Sequence, residues 1–151
     1  MLFRSKVKYI IPHASLIHSC STISVADEIE RLSQKHDVIT DILIQVNTSG
    51  ESSKSGIEPA EIDEFISLIS RHKHISLRGL MTIPTATDNI SQLSSEFSLL
   101  RKTLERLKDS IPSPETWNML SMGMSDDFSI AIKEGATHVR IGTAIFGERP
   151  Y

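Results

Sequence analysis

What is scarce in this chain narrows its class first. One cysteine, Cys20, stands in 151 residues, so no internal disulfide can form and the scaffold of a small secreted protein is excluded. A buried, inert thiol in a reducing compartment is the common case for such a residue. Cations are not in excess: 16 Lys and Arg face 19 Asp and Glu, a net charge of −3. Nucleic-acid binding needs clustered positive charge to neutralise phosphates, so that class of partner is excluded. No apolar run approaches the roughly 20 residues that span a bilayer, and the opening MLFRSKVKYIIP is too short and interrupted for a signal peptide. The expectation is a soluble, cytoplasmic protein without a membrane partner. Aromatic residues make up only 5% of the chain, with Trp117 the one tryptophan. The core must therefore come from Ile, Leu, Val, Ala and Met, the palette of parallel sheets covered by helices.

What is present is an alternation of short β-prone runs with longer amphipathic stretches, the mark of repeated strand-helix units in an α/β fold. Strands are expected over 15–19, 41–47, 75–83, 116–121 and 137–142. Between them, helices are expected from about Ser24 to Lys35, with Ser24 as N-cap and Asp27 three positions on. Pro59 suits the first turn of a second, running to about Arg71, with Ile62, Phe65, Ile66 and Ile69 as its buried stripe. A long third helix spans Asn89 to Asp109, and a fourth runs from Ser125, as N-cap, to Glu134, with Gly135 as its stop. A single domain over 1–151 follows. The alternation fits an open doubly wound sheet or part of a (β/α)8 barrel, since a complete barrel needs about 250 residues. The first ten residues read as the tail of a helix whose strand does not precede it, as though the chain begins in the middle of a fold.

Ligands of α/β folds bind beyond the carboxyl ends of the strands. Two such loops stand out. One follows the fourth strand, Ser121-Met122-Gly123-Met124-Ser125-Asp126; the other follows the fifth, Gly142-Thr143-Ala144 with Gly147 close behind. Small residues with free backbone N–H groups and hydroxyls make an anion cradle, and the last two strands of a barrel commonly hold a phosphate there. Alone, such loops are equally well explained as turn and cap residues. Arg140 adds a second sign. It lies within the strand THVRIG, on one face with His138 and Gly142, and a permanently charged side chain inside a sheet must meet an acceptor. That acceptor is either an anionic ligand or a structural carboxylate such as Asp126, Asp127 or Glu134.

Other candidates are weaker. His72 and His74 have a metal-like spacing but no cysteine or carboxylate partners in suitable register, so no metal site is expected. His13 and His18 flank the first strand as satisfied structural histidines. Gly142 to Gly147 lacks the Lys-Ser/Thr of a nucleotide P-loop, no G-x-S-x-G elbow occurs, and a lone loop lysine such as Lys54 is usually just solvated.

The segments SKVKYIIPHASLIHS (5–19), ILIQVNTSGESSKSGI (42–57), LRGLMTIP (77–84) and, above all, LSMGMSDDFSIAIKEGATHVRIGTAIFGERPY (120–151) resemble the pyridoxal 5'-phosphate homeostasis proteins, whose fold is that of the alanine racemase N-terminal barrel. The resemblance implies a partial (β/α)8 TIM barrel, about its last five βα units. It further implies a pyridoxal 5'-phosphate cofactor, no strong turnover, and pyridoxal-phosphate-dependent enzymes as partners receiving the cofactor. By the same resemblance Arg140 faces the pyridine nitrogen and keeps it unprotonated, and Ser121, Met122, Gly142 and Thr143 surround the phosphate. Asn47, Ser49, Lys54 and Gly56 form a loop at the rim. The family's aldehyde-bonding lysine lies on a first barrel strand that this sequence does not match, and neither Lys6 nor Lys8 replaces it, so no catalytic residue is assigned. An unclosed sheet is expected to be poorly soluble alone or to rely on another chain. The alternatives are a fragment of a racemase-type enzyme and an open-sheet binder of another phosphorylated metabolite.

Overall fold

In a computed structural model, residues 4–148 are described; Met1 to Phe3 of the opening segment, and Arg149, Pro150 and Tyr151 of the final motif, lie outside them. A 3-10 turn at Arg4–Lys6 leads into α1 (Val7–Ile10). The chain then alternates through β1 (Ile17–Cys20), α2 (Ile23–His36), β2 (Thr40–Gln45), α3 (Ile62–Ile69), β3 (Ile75–Met81) and α4 (Ile90–Leu107). It closes with β4 (Met119–Met124), α5 (Phe128–Lys133), β5 (His138–Arg140) and α6 (Thr143–Phe146). Among the described residues the sheet has five strands in the order β1-β2-β3-β4-β5, every neighbouring pair parallel. This is the expected α/β architecture, a curled half-barrel made of five strand-helix units. No helix among the described residues is long and apolar enough to cross a membrane.

The core lies between the sheet and its helices. Ile42, Ile44 and Val46 of β2 and its extension pack with Ile29 of α2, Ile66 and Ile69 of α3, and Leu80 of β3. Phe97, Leu100 and Leu104 bring in α4, and Trp117 is buried beside them with its indole N–H donating to the Leu104 carbonyl at 2.9 Å. That bond satisfies the polar end of the tryptophan and explains why an aromatic-poor chain can bury it. Cys20 is buried in this layer, as expected. Burial pushes its thiol up to about 12, so at neutral pH it stays protonated and unreactive.

Two glycines let the strands meet as they do. At Gly79 (φ +153°) a Cβ would drive into the Met119 carbonyl oxygen of the neighbouring strand. At Gly123 (φ +93°) a Cβ would come within 2.7 Å of the Ala131 Cβ on α5. Both backbone conformations are strained for side-chain-bearing residues. Register shifts accompany both, between Ile42 and Leu43 against β3 and between Ser121 and Met124 against β5. These irregularities curl the sheet until His18 on β1 reaches Ser121 on β4, 103 positions away.

Several boundaries differ from expectation. Thr22, not Ser24, caps α2: its hydroxyl accepts from the Val25 N–H at 3.3 Å. Asp27 instead holds His72 at 3.0 Å. Pro59 lies ahead of α3 rather than in its first turn, because Asn47 draws the Glu58 carboxylate back at 2.8 Å and ties 58–61 into a turn. The fourth strand is displaced towards the carboxyl end. Trp117 belongs to the helix layer, and Met122 and Gly123, read as loop, lie with Ser121 within β4. Ser125 does not cap α5; Asp127 stands at that position and accepts from the Met124 N–H at 2.6 Å. Gly135 does end α5, donating to the Ile132 carbonyl at 3.0 Å.

β1 and β5 form the two borders of the sheet, and neither has a further strand partner among the described residues. Apolar side chains are bare at the β5 end: Val139, Ile132, Ile145 at 68% exposure and Phe146 at 84%. The second wall that would cover such residues in a closed barrel is not among the described elements.

Candidate functional site

The carboxyl ends of β4 and β5 come together around a cavity of about 330 Å³ lined by Met124, Ser125, Asp126, Arg140, Gly142, Thr143, Phe146 and Gly147. Its size falls at the lower end of the range for small-molecule sites. Three of the expected residues, Arg140, Gly142 and Thr143, line it. Ser121 and Met122 do not. Met122 is fully buried in the sheet-helix core, and Ser121 is fully buried behind Arg140.

Arg140 is held rather than free. One Nη1 hydrogen goes to the Ser121 Oγ at 2.7 Å and one Nη2 hydrogen to the Thr82 carbonyl at 2.7 Å. A guanidinium has five donors, so the fork fixed at its rear keeps further N–H groups for an acceptor in front. The carboxylate salt bridge offered as the alternative is not among its partners. Glu134 serves Arg101 and Ser94, and Asp127 acts on Arg140 only through its field. Burial lowers the pKa of Arg140 from its ordinary value, and the Asp127 charge opposes that shift. The arginine stays charged, as any arginine does in a protein.

The other wall is a backbone cradle. Gly142 N–H and Ala144 N–H both donate to the Ser125 Oγ, each at 3.2 Å. The Ser125 oxygen thus engages both amides, and its own hydroxyl proton is left to donate to a ligand oxygen. Space in front of Gly142 is open, since a Cβ there meets nothing within 4 Å. An anionic ligand with a second acceptor therefore fits this arrangement: the amides and hydroxyls of Ser125 and Thr143 at one end, the guanidinium at the other. Asp126 adds a carboxylate at the rim.

Ser125, read from the sequence as a helix cap, thus turns out to join the two loops. The Thr82 carbonyl had no sequence signal at all, being a backbone atom. His18, taken as structural, bonds Ser121 through its Nδ1 at 2.8 Å.

The loop after β2 stands at the edge of a second, larger cavity of about 740 Å³, which shares Met124 and Asp126 with the first. Asn47 braces this loop by donating to the Glu51 carbonyl at 3.0 Å, and Ser49 donates its hydroxyl to the Asn47 Oδ1 at 2.8 Å. Lys54 is tied down, with Nζ donating to the Pro84 carbonyl at 2.7 Å and Glu51 at 3.2 Å. His72 and His74 pair with Asp27 and Glu30 of α2, and no metal-binding cluster occurs among the described residues.

Comparison with known proteins places the chain in a family. Residues 4–150 match the family model of the alanine racemase N-terminal domain. The pyridoxal phosphate homeostasis protein of Aquifex aeolicus is 41% identical over 149 residues, covering 97% of this chain and 64% of that relative's length. The structure of PipY from Synechococcus elongatus with PLP bound superposes with a TM-score of 0.87 at 27% identity, over 97% of this chain and 68% of PipY. Alanine racemase of Clostridium difficile, at 14% identity and a TM-score of 0.73 over 100% of this chain and 38% of its own, shares the fold. The chain spans about three-fifths of the length of the curated relatives it matches.

Proposed function

The chain belongs to the alanine racemase N-terminal domain family, and on that premise we propose that it binds pyridoxal 5'-phosphate and serves the intracellular homeostasis of that cofactor without strong catalytic turnover. The observation that carries this reading is the Arg140 guanidinium, held from behind by Ser121 and Thr82 and lining one cavity with the Gly142-Thr143 cradle. The cofactor supplies a reactive aldehyde on an electron-withdrawing pyridine ring. The protein's part is to bind and restrain it. Gly142, Thr143 and Ser125 hold the phosphate through amides and hydroxyls. Arg140, which donates and never accepts, faces the ring nitrogen and keeps it unprotonated, weakening the ring as an electron sink. Ser121 acts from behind Arg140, and Met122 supports this part of β4 from the core. No residue of the chain is assigned a catalytic role. The cytoplasm, where pyridoxal-phosphate-dependent enzymes would receive the cofactor, is the setting that fits the one buried thiol.

The test is a binding titration of the full chain with pyridoxal phosphate, pyridoxal and glycerol phosphate. Tighter binding of pyridoxal phosphate than of either comparator is expected, because only it fills both ends of the site. Equal affinity for glycerol phosphate would point instead to a general phosphate-ester binder and overturn the reading.

A further inference from the structure

We infer that His18 is a positioning residue for Arg140, acting through Ser121, and that its unprotonated imidazole keeps the guanidinium set for its ligand. This deepens the cofactor-binding reading and rests on it.

The direction of every bond in the chain Arg140–Ser121–His18 follows from donor and acceptor chemistry, without any hydrogen being observed. A guanidinium can only donate, so the Ser121 Oγ must accept from Arg140. The serine's single proton then needs its own acceptor, and the His18 Nδ1 stands 2.8 Å away. That nitrogen can accept only while it carries no proton. Ser121 is fully buried, so water cannot replace a lost partner there and the whole penalty of an orphaned hydroxyl is felt.

A proton on His18 would reverse the link. Nδ1 would become a donor, the Ser121 hydroxyl would lose its acceptor, and a second positive charge would face Arg140. Among the described residues no carboxylate pairs with the imidazole to offset this. From β4 it bonds Ser121; from β5 the charge of Arg140 acts on it and His138 stands edge-on, at 5.9 Å between ring centroids. His138 is itself bonded to the Thr137 hydroxyl at 2.8 Å, and the field of Asp127 acts on Arg140. Burial first, then His138 and Arg140, lower the pKa of His18. The sign follows: the neutral link is complete above the ordinary histidine range and is lost as pH falls from there through the depressed value.

The experiment has two arms, both on the full chain. In the free protein, NMR titration of His18 should place it below its ordinary value, and Arg140→Leu should move it upward. In the binding arm, pyridoxal phosphate affinity is compared at pH 7.5 and at one pH unit below the His18 midpoint that the NMR arm measures. His18→Leu, which removes the acceptor, should bind about tenfold more weakly than wild type at pH 7.5, and the gap should narrow at the acid pH, where wild type loses the acceptor as well. His18→Asn places an oxygen acceptor near the position of Nδ1 without a titrating proton; it should restore most of the affinity and weaken less than wild type on acidification. The ligand's own phosphate titration is common to both proteins and cancels in that ratio. Wild-type affinity in a His18→Leu chain shown to be folded by circular dichroism would overturn the inference. So would identical acid weakening of wild type and His18→Asn, or a His18 titration unmoved by Arg140→Leu. Failure of the cofactor-binding reading shows separately, as Arg140→Leu binding like wild type, and the NMR arm then still decides the link.

Discussion

Replacing Arg140 by leucine probes the site with the least ambiguity, and its size can be worked from the bonds observed. In the free chain the guanidinium makes two bonds, to Ser121 and Thr82, each at 2.7 Å. Removing it deletes both but also relieves the burial of a charge, and Ser121 keeps its bond to His18. These changes oppose each other, so the stability cost is expected to stay below about 2 kcal/mol. Binding is another matter, because a bond from a charged donor to the ligand contributes about 1.5–3 kcal/mol. At 1.4 kcal/mol per factor of ten, pyridoxal phosphate affinity should fall roughly 10- to 150-fold. Affinity for glycerol phosphate, held by the Gly142-Thr143 cradle alone, should change far less. Trp117, buried against α4, reports folding by its fluorescence while equilibrium dialysis measures the ligand. Arg140→Lys keeps the charge but cannot span Ser121 and Thr82 with a planar fork, and should fall between the two. A folded Arg140→Leu chain that binds pyridoxal phosphate within twofold of wild type would refute the assignment of that guanidinium to the cofactor.

Gly79→Ala forces a Cβ into the Met119 carbonyl at a φ of +153°, so a loss of about 2–3 kcal/mol or more is expected in urea unfolding followed by Trp117 fluorescence; a melt like wild type would mean the β3-β4 approach is looser than described. Burial favours the neutral form of Glu30, yet bonds from the His74 side chain and from the His74 and Lys73 N–H groups hold its carboxyl below the ordinary range. That contribution is present above the ordinary carboxylate value and is lost as pH falls through the depressed one, so thermal melts of Glu30→Gln should show a shallower acid decline than wild type. Light scattering should find the isolated chain self-associating through the bare apolar residues at the β5 end, and Ile145→Glu with Phe146→Ser should reduce this; a monodisperse wild-type monomer would contradict it.

Much of this molecule is written in local patterns. The strand-helix alternation, the apolar stripe of α3 and the stop at Gly135 depend on neighbours a few positions apart, and all are present in the fold. The motif around Arg140 was likewise legible, because a charge inside a β-prone run and a glycine two residues on are local facts. Boundaries were less legible where a distant partner intervened. Asn47 pulls Glu58 out of a helical start, and Trp117 leaves the strand for a carbonyl on α4.

The sequence by itself determined which residues can form parallel strands and which loop chemistry sits at their ends, since periodicity, charge and small side chains are properties of the chain alone. Only the tertiary structure decided how those loops combine. Met122 joined Ser121 within β4, Ser125 became the oxygen shared by the last loop's amides, and His18 came to face a serine 103 residues away. The physical reason is curvature. Register shifts near Gly79 and Gly123 set how far the sheet curls, and bonds across its hollow depend on that bend rather than on any spacing along the chain.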